Sequence, residues 1–369
     1  MSKKKPQPAA PTPRTLRAQI AKIDRELLDA LSDRASLCQS LAEAVGAPGG
    51  EAESSAAAVD KLVEKNTGPV TERSVRAVLR EVEAACRAIT THERVAYLGP
   101  EHTYSHQAAL HRFGDATELV PVGAIGAVFD EVASGSCEWG VVPLENSTHG
   151  RVTDTLEAFA KSEVQICGEL PLRIHHCLLG KGKRSDVRRV ASKAQALAQC
   201  GSWLTKHLPG VDTQPVASTA EAAVMASADP AVAAIASEQA GVHHGLRVLA
   251  HGIEDQSDNI TRFAVIGMAP AAKTGGDKTA IVFEVAHEPG SLADAMAIFK
   301  RAKLNLTWIE SFPIPGSRTA GQEGGRYLFF VEFLGHQTEL RARRAIANLE
   351  KKAVQLRVLG SYPQSPPID

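Results

Sequence analysis

Apolar residues at Leu16, Ile20, Ile23, Leu27 and Leu31 recur at intervals of 4, 3, 4 and 4. That spacing lays them along one stripe of a helix running from Thr15 to about Ala44. Residues 46–55 are rich in Gly, Pro and Ser and read as a loop. Helical spacing resumes over 57–65 and 71–89, interrupted by Asn66-Thr67-Gly68-Pro69. Three helices alone bury little, so this part is expected to pair with a second copy.

From Arg94 the pattern changes to short apolar runs alternating with helices, which predicts an α/β sheet. Strands are predicted at 95–98, 140–143, 187–191, 216–217 and 232–236. Polar groups follow several of them: Glu145-Asn146-Ser147, Ser192, Ser218-Thr219 and Ser237. Taken singly, each Ser, Thr or Asn reads as a helix cap. Several converging at one sheet edge would present helix N-termini to a small ligand with more than one carboxylate. Lys273-Thr274-Gly275-Gly276-Asp277 reads as a linker. Beyond it come a strand (279–285), a helix (291–303), two strands (305–311 and 327–333), a helix (338–353) and a strand (355–359). That order is a ferredoxin-like βαββαβ plait.

The length of 369 residues suits two to three domains. With 41 Lys+Arg against 42 Asp+Glu, the net charge of −1 argues against a nucleic-acid or polybasic membrane binder. No stretch approaches the ~18–20 apolar residues of a membrane span. Residues 1–13 read as a disordered tail rather than a signal peptide. Cys38, Cys86, Cys137, Cys167, Cys177 and Cys200 form no CxxC and suit reduced thiols in the cytoplasm. His102 and His106 lack a third ligand at a suitable spacing. His287-Glu288 lacks the second His of HExxH, so no metal site is expected. Gly180-Lys181-Gly182-Lys183-Arg184-Ser185 fits neither phosphate-loop pattern and reads as a basic turn.

The runs YLGPEHTYSHQAA (from Tyr97), VVPLENSTHGRV (from Val141), SKAQALAQC (from Ser192), STAEAA (from Ser218) and NITRF (from Asn259) occur in the order found in prephenate dehydratases. Residues 93–270 therefore resemble that family, which implies a two-lobed α/β domain like the type 2 periplasmic binding proteins. Residues 278–363, with EPGSLA, NLTWIESFP, YLFFVEF and VLGSYP, resemble the regulatory ACT domain of the same enzymes. Residues 14–92, with LRAQIAKIDRELLDAL and NTGPV, resemble the helical chorismate mutase domain often fused ahead of the dehydratase.

The resemblance implies loss of CO2 and water from prephenate to give phenylpyruvate, driven by aromatisation, with no cofactor. It makes Thr261 the catalytic hydroxyl, hydrogen-bonded to the departing oxygen; the plain alternative is a strand Thr bonding its neighbour. Glu145 is a proton donor if burial raises its pKa, and otherwise a structural carboxylate. Asn146 and Ser147 anchor a carboxylate, Ser192 and Gln199 bind substrate, and Thr103 and Ser105 line the cleft. Arg262 either neutralises a carboxylate or sits in an internal salt bridge. Two departures stand out: His102 where the family shows Gly, and Lys193-Ala194 where it shows His-Pro. The first demands an unusual backbone angle.

Chorismate rearrangement needs several cations around a dianion. Of the family's cationic positions, Arg17 and Arg34 remain. The Lys position falls at Val45, the Arg-Glu pair at about Ser55-Ala56, and a polar partner at Ala84. The expectation is a mutase-like domain with little activity, kept for dimerisation. In the ACT-like part, Gly290, Ser291, Leu292 and Ala293, together with Asn305, Leu306, Glu310 and Ser311, match the segments that bind phenylalanine between subunits. Phe312 replaces an Arg there, and residues 316–325 lengthen the loop nearby. The implied state is a cytoplasmic homodimer or homotetramer with phenylalanine as effector. Arogenate dehydratase, a fully bifunctional mutase/dehydratase and a non-catalytic amino-acid sensor are the alternatives.

Overall fold

A computed structural model of the chain describes residues 12–45, 56–148, 150–314 and 326–368. The chain divides into two units: the N-terminal helices with Phe113–Thr117, and Arg94–Arg112 with everything from Glu118 onward. In the first unit, α1 (Pro13–Val45), α2 (Ala56–Glu64) and α3 (Glu72–Thr90) follow the predicted boundaries closely. The predicted break has a local cause. Asn66 folds its side chain back to Gly68 N and Val70 O, and Thr71 caps α3 by accepting from Ser74 N. Cys38, Ala84 and Cys86 are buried in this unit, yet Leu16, Ile20, Ile23, Leu27 and Leu31 remain between 42% and 58% exposed. The predicted stripe faces solvent.

The second unit holds three sheets. Its elements run β1 (Arg94–Leu98), α4 (Tyr104–Phe113), β2 (Glu118–Val122), α5 (Ile125–Ala133), β3 (Trp139–Asn146), β4 (Gly150–Arg151), α6 (Thr153–Lys161) and β5 (Gln165–Arg173). Then come β6 (Cys177–Gly180), β7 (Arg189–Lys193), α7 (Ala194–Gln199), α8 (Gly201–His207), β8 (Asp212–Val216), α9 (Thr219–Ala228), β9 (Val232–Ala236), α10 (Glu238–His243) and β10 (Arg247–Ala250). The chain returns through β11 (Ile260–Gly267). It ends with β12 (Asp277–Val285), α11 (Ser291–Ala302), β13 (Leu306–Pro313), β14 (Tyr327–Leu334), α12 (Leu340–Glu350) and β15 (Ala353–Pro363).

The first sheet has the order β2-β1-β3-β11-β5 and the second β10-β6-β9-β7-β8. The chain leaves the first after β5, builds the second, and comes back as β11, which lies antiparallel between β3 and β5. That excursion produces two lobes. The third sheet, β13-β14-β12-β15, is wholly antiparallel and carries α11 and α12, as the βαββαβ pattern predicts. The linker expected at 273–277 is a tied turn. Asp277 opens β12 with its carboxylate accepting from Thr274 N, Thr274 Oγ1 and Gly275 N.

The third sheet packs on the first. Phe129, Leu144, Phe159 and Ile166 share one core with Val282, Phe312, Leu328, Phe330 and Tyr362. Each such side chain contributes about 1.5–3 kcal/mol when fully buried. Phe312, at the position where an Arg was expected to be missed for effector binding, is only 3% exposed within this core. At the seam a Cβ on Gly360 would lie 2.2 Å from Ile166 O, and its φ is +147°, so only glycine lets β15 approach β5 this closely.

Behind that seam lies a buried ionic hub. Arg262 Nη1 is 2.6 Å from Glu332 Oε2 and 3.3 Å from Glu169 Oε2, and its guanidinium stacks 4.8 Å over the Trp308 ring. Lys278 Nζ joins Glu169 at 3.0 Å and Glu332 at 3.4 Å. Thr307 and Tyr362 donate hydroxyl bonds to Glu332. Burial opposes ionisation of Glu332, but Arg262 and Lys278 outweigh it and hold the carboxyl below its ordinary value. Removing one partner of such a group strands the other charges. Glu332→Ala is expected to destabilise this unit by about 3–5 kcal/mol, read as a drop in denaturant midpoint at unchanged slope. A loss under about 1 kcal/mol would contradict the hub.

Candidate active site

The two lobes enclose a cleft of about 1030 Å³. Its walls come from the ends of strands and the starts of helices; of the polar groups predicted to converge there, Asn146, Ser218 and Thr219 line it, whereas Ser237 is not among its lining residues and caps α10. Thr103, Tyr104 and Ser105 lie at the start of α4, Gly123 and Ile125 at α5, Val152 and Asp154 at α6, and Ser218, Thr219 and Glu221 at α9. Four helix N-termini therefore meet one space, each contributing partial positive charge, with Thr103 and Ser218 capping two of them through His106 N and Glu221 N. β3 and β11 form the floor, with Pro143, Asn146, Thr261 and Phe263.

The floor is set by register. Thr261 pairs with Asn146 and Arg262 with Glu145 across the β3–β11 ladder. Asn146 Nδ2 donates to Thr261 Oγ1 at 2.8 Å and to Asn259 Oδ1 at 3.0 Å, and its own Oδ1 accepts from Thr148 N. Asn259 Nδ2 donates to Gln199 Oε1 at 3.2 Å. The same oxygen lies 2.9 Å from His176 Nε2, and His176 Nδ1 lies 2.9 Å from the Tyr104 hydroxyl. The chain Tyr104–His176–Gln199–Asn259–Asn146–Thr261 thus begins and ends in the lobe of the first sheet and ties it to the second lobe at Gln199. Burial lowers the His176 pKa and keeps the ring neutral, with Nε2–H facing Gln199. Burial likewise raises the Tyr104 pKa, so the phenol stays protonated.

Of the residues singled out from sequence, Thr261, Asn146, Thr103, Ser105 and Gln199 line this cleft. Glu145, Arg262, Ser147 and Ser192 are not among its lining residues. Strand alternation turns Glu145 and Arg262 to the opposite face, where Glu145 Oε2 lies 3.2 Å from Arg262 Nη2. The proton-donor and carboxylate-binding roles considered for them give way to the internal salt bridge. Ser147 pins the start of β11, with Oγ accepting from Ile260 N and donating to Asp258 O. Ser192 is fully buried and donates to Ile235 O at 2.6 Å, tying β7 to β9.

Tyr104, His176, Asn259, Lys193, Arg151 and Glu221 also line the cleft and were not singled out from the sequence as cleft residues. Asn259 was legible: it opens the same NITRF run that supplied Thr261. His176 sits between β5 and β6, neither of which was predicted. His102 does adopt the left-handed backbone expected of a glycine replacement, with φ +62°. Its ring stacks on His243 of the second lobe at 3.7 Å, and its backbone N–H donates to His106 Nδ1. That stack offsets a conformational cost of about 1–2 kcal/mol.

In the C-terminal plait, Gly290 caps α11 with φ +88°. Ser291 and Leu292 line a hollow of about 130 Å³ with His287, Tyr327 and Phe329. Ala293, Asn305, Leu306, Glu310 and Ser311 are not among its lining residues. Glu310 Oε2 instead meets Arg151 Nη1 at 2.8 Å. In the helical unit Arg17 is exposed, whereas Arg34 Nη1 donates to Cys86 Sγ at 2.8 Å. Ala84 is fully buried. Ser55, the loop around it and residues 316–325 lie outside the described residues, as does the side chain of Val45. Among the described residues, no group of three or more His, Cys, Asp and Glu side chains is placed to hold a metal ion, and no helix is long and apolar enough to cross a membrane.

Comparison with known proteins agrees with this architecture. Residues 95–271 match the family model for prephenate dehydratase, and residues 16–91 that for chorismate mutase type II. The chain is 38% identical over 362 residues to the bifunctional chorismate mutase/prephenate dehydratase of Pseudomonas aeruginosa, covering 95% of this chain and 98% of that protein. Among solved structures, the prephenate dehydratase of Arthrobacter aurescens in complex with L-Phe superposes with a TM-score of 0.67 at 33% identity, over 73% of this chain and 90% of that one. GqqA, described as a novel type of quorum quenching acylase, superposes with a TM-score of 0.66 at 29% identity, over 74% of this chain and 99% of that one. Near-complete coverage at this identity means that the chain belongs to the bifunctional chorismate mutase/prephenate dehydratase family and is a prephenate dehydratase.

Proposed function

We propose that Thr261 assists departure of the ring hydroxyl of prephenate and that Asn146 holds it for that task. The observation that carries this reading is the bond from Asn146 Nδ2 to Thr261 Oγ1. An amide N–H only donates, so it occupies a lone pair of the hydroxyl and leaves the Thr261 O–H free for a ligand in the cleft. In the reaction the bond from the ring to its hydroxyl oxygen and the bond to its carboxylate carbon both break. The electron pair of the second enters the ring, CO2 leaves, and the departing oxygen takes up one proton from solvent to leave as water. Thr261 stabilises the charge growing on that oxygen. Thr103, Ser105, Gln199 and the helix N-termini hold the acid groups, and a cleft poor in water favours loss of charge as CO2. His176 has its ring nitrogens engaged by Tyr104 and Gln199 rather than by a serine or cysteine, so His176 is not placed as the base of an acyl-transfer nucleophile.

The plait acts as an ACT regulatory domain that senses phenylalanine. Support comes from its strand order, from the hollow at the start of α11, and from the relative described in complex with L-Phe. The helical unit serves mainly to pair two copies through the exposed stripe on α1, in a cytoplasmic homodimer or homotetramer. The stripe is a contiguous apolar surface of the kind that marks an interface. Arg34 spends its guanidinium on the Cys86 thiol, which supports weak mutase activity at most.

Thr261→Ala is expected to lower kcat for phenylpyruvate formation by about 10²-fold, with Thr261→Ser restoring most of it. Near-normal turnover of a folded alanine variant would end the assignment. Leu27→Glu is expected to shift sedimentation toward a smaller species at unchanged helix content; an unaltered profile would place the contact elsewhere. Purified protein fed chorismate should form prephenate at close to the uncatalysed rate, and turnover well above it would restore full bifunctionality.

A further inference from the structure

His102 stands in the loop from β1 to α4, between the cleft residues Pro100 and Thr103. Its ring lies against the second lobe, 3.7 Å from the His243 ring at an interplanar angle of 27° and 5.9 Å from the His244 ring. His106 is 5.4 Å away on its own side, and His243 and His244 are 4.9 Å apart, so four imidazoles share one seam between the lobes. Tyr97 on β1 stacks behind His106. Glu101 is the carboxylate that faces the seam, with Oε2 3.7 Å from His102 Nε2, beyond hydrogen-bond reach. His102 Nε2 is buried and has no hydrogen-bond partner among the described residues. Burial and the neighbouring histidines, His243 foremost, outweigh Glu101 and lower the His102 pKa; burial and His243 lower that of His244.

We infer that His102 is a positioning residue: stacked on His243, it holds the cleft-lining loop against the second lobe, and protonation of this seam releases the loop and weakens substrate binding. The inference rests on prephenate dehydration at this cleft. A proton on the buried His102 ring costs solvation, and a second on His243 brings like charges into contact. The loop transmits the loss. Thr103, next in the chain, donates to Pro100 O and accepts from His106 N, so displacing His102 displaces a wall of the cleft. The seam favours neutral rings. Closure is therefore full above the ordinary histidine value of about 6.5 and is lost as pH falls through the lowered one. Carboxyl groups of a substrate titrate near about 4, below this window.

The test follows phenylpyruvate formation by the full-length protein from about pH 7.5 down to about pH 5.5, with the spontaneous reaction subtracted. KM for prephenate is expected to rise about fivefold toward the acid end while kcat changes less than about twofold, because KM scales inversely with the closed fraction. His243→Phe keeps a ring for the stack but cannot take a proton. Its KM should match the unmodified protein at the neutral end and rise less than about twofold toward acid. His102→Gly removes the stack and suits the left-handed backbone, so its KM should be raised at every pH. His243 is exposed, so its replacement leaves the core intact, and equal denaturation midpoints check folding of both variants. His176, which lines the cleft, is the same in all three proteins. A rise that survives His243→Phe in full therefore belongs to another group and overturns the inference. A flat KM in the unmodified protein, or an unchanged KM in His102→Gly, overturns it as well. If the unmodified protein forms no phenylpyruvate at any pH, the dehydratase reading itself fails.

Discussion

The antiparallel insertion of β11 between β3 and β5 is the constraint on which the molecule depends. A strand turns successive side chains to opposite faces. Thr261 and Phe263 therefore look into the cleft while Arg262, between them, looks into the plait. One register fixes both. A slip of one residue would put Arg262 in the cleft and bury Thr261 against the plait. The register is pinned at its start by Ser147, which exchanges bonds with Ile260 N and Asp258 O, and by Asn146, which bonds to side chains on both Asn259 and Thr261. Phe263 and Ile266, both buried in the same strand, supply the hydrophobic side of that specification.

Much of this was legible in the sequence, for identifiable reasons. The 4-3-4-4 spacing of α1, the Asn66-Thr67-Gly68-Pro69 break and the βαββαβ order each carry a local signal, and the elements they predict are present with shifts of a few residues. β5 was missed because Gly168 and Pro171 interrupt its apolar run, and β6 because four residues are too short to show a period. The site was legible where residues share a motif, as Thr261 and Asn259 do. It was misread where alternation decided direction. Glu145 and Asn146 are neighbours in sequence, yet one lines the cleft and the other joins Arg262 behind it. Motif likeness names residues without saying which face they take.

Phe312 shows the same limit at the plait. Viewed as a lost arginine, it implies a weaker effector site. Viewed in place, it joins Phe159, Leu328 and Phe330 in a core common to two sheets. Truncating such a side chain costs about 3–5 kcal/mol, far more than an exposed hydrogen-bonding fork contributes. The residue is committed to holding the plait on the dehydratase sheet. That makes the plait part of the same packed body as the floor of the cleft.

The ionic hub gives those contacts their direction. Burying Arg262, Lys278, Glu169 and Glu332 together incurs a desolvation cost that a hydrophobic seam of similar volume would avoid. What the charges supply is orientation. A hydrophobic seam tolerates sliding, whereas a guanidinium fixed between Glu332, Glu169 and the Trp308 face has one position. Arg262 in turn holds Glu145, and Glu145 pairs through the backbone with Arg151. The short β3–β4 hairpin is thereby gripped from the plait at two points, by Glu332 through Arg262 and by Glu310 through Arg151. Between those points it carries Asn146, whose amide donates to the Thr261 hydroxyl. The hairpin, the floor residue Thr261 and the plait are therefore tied into one set of contacts rather than joined by a flexible link.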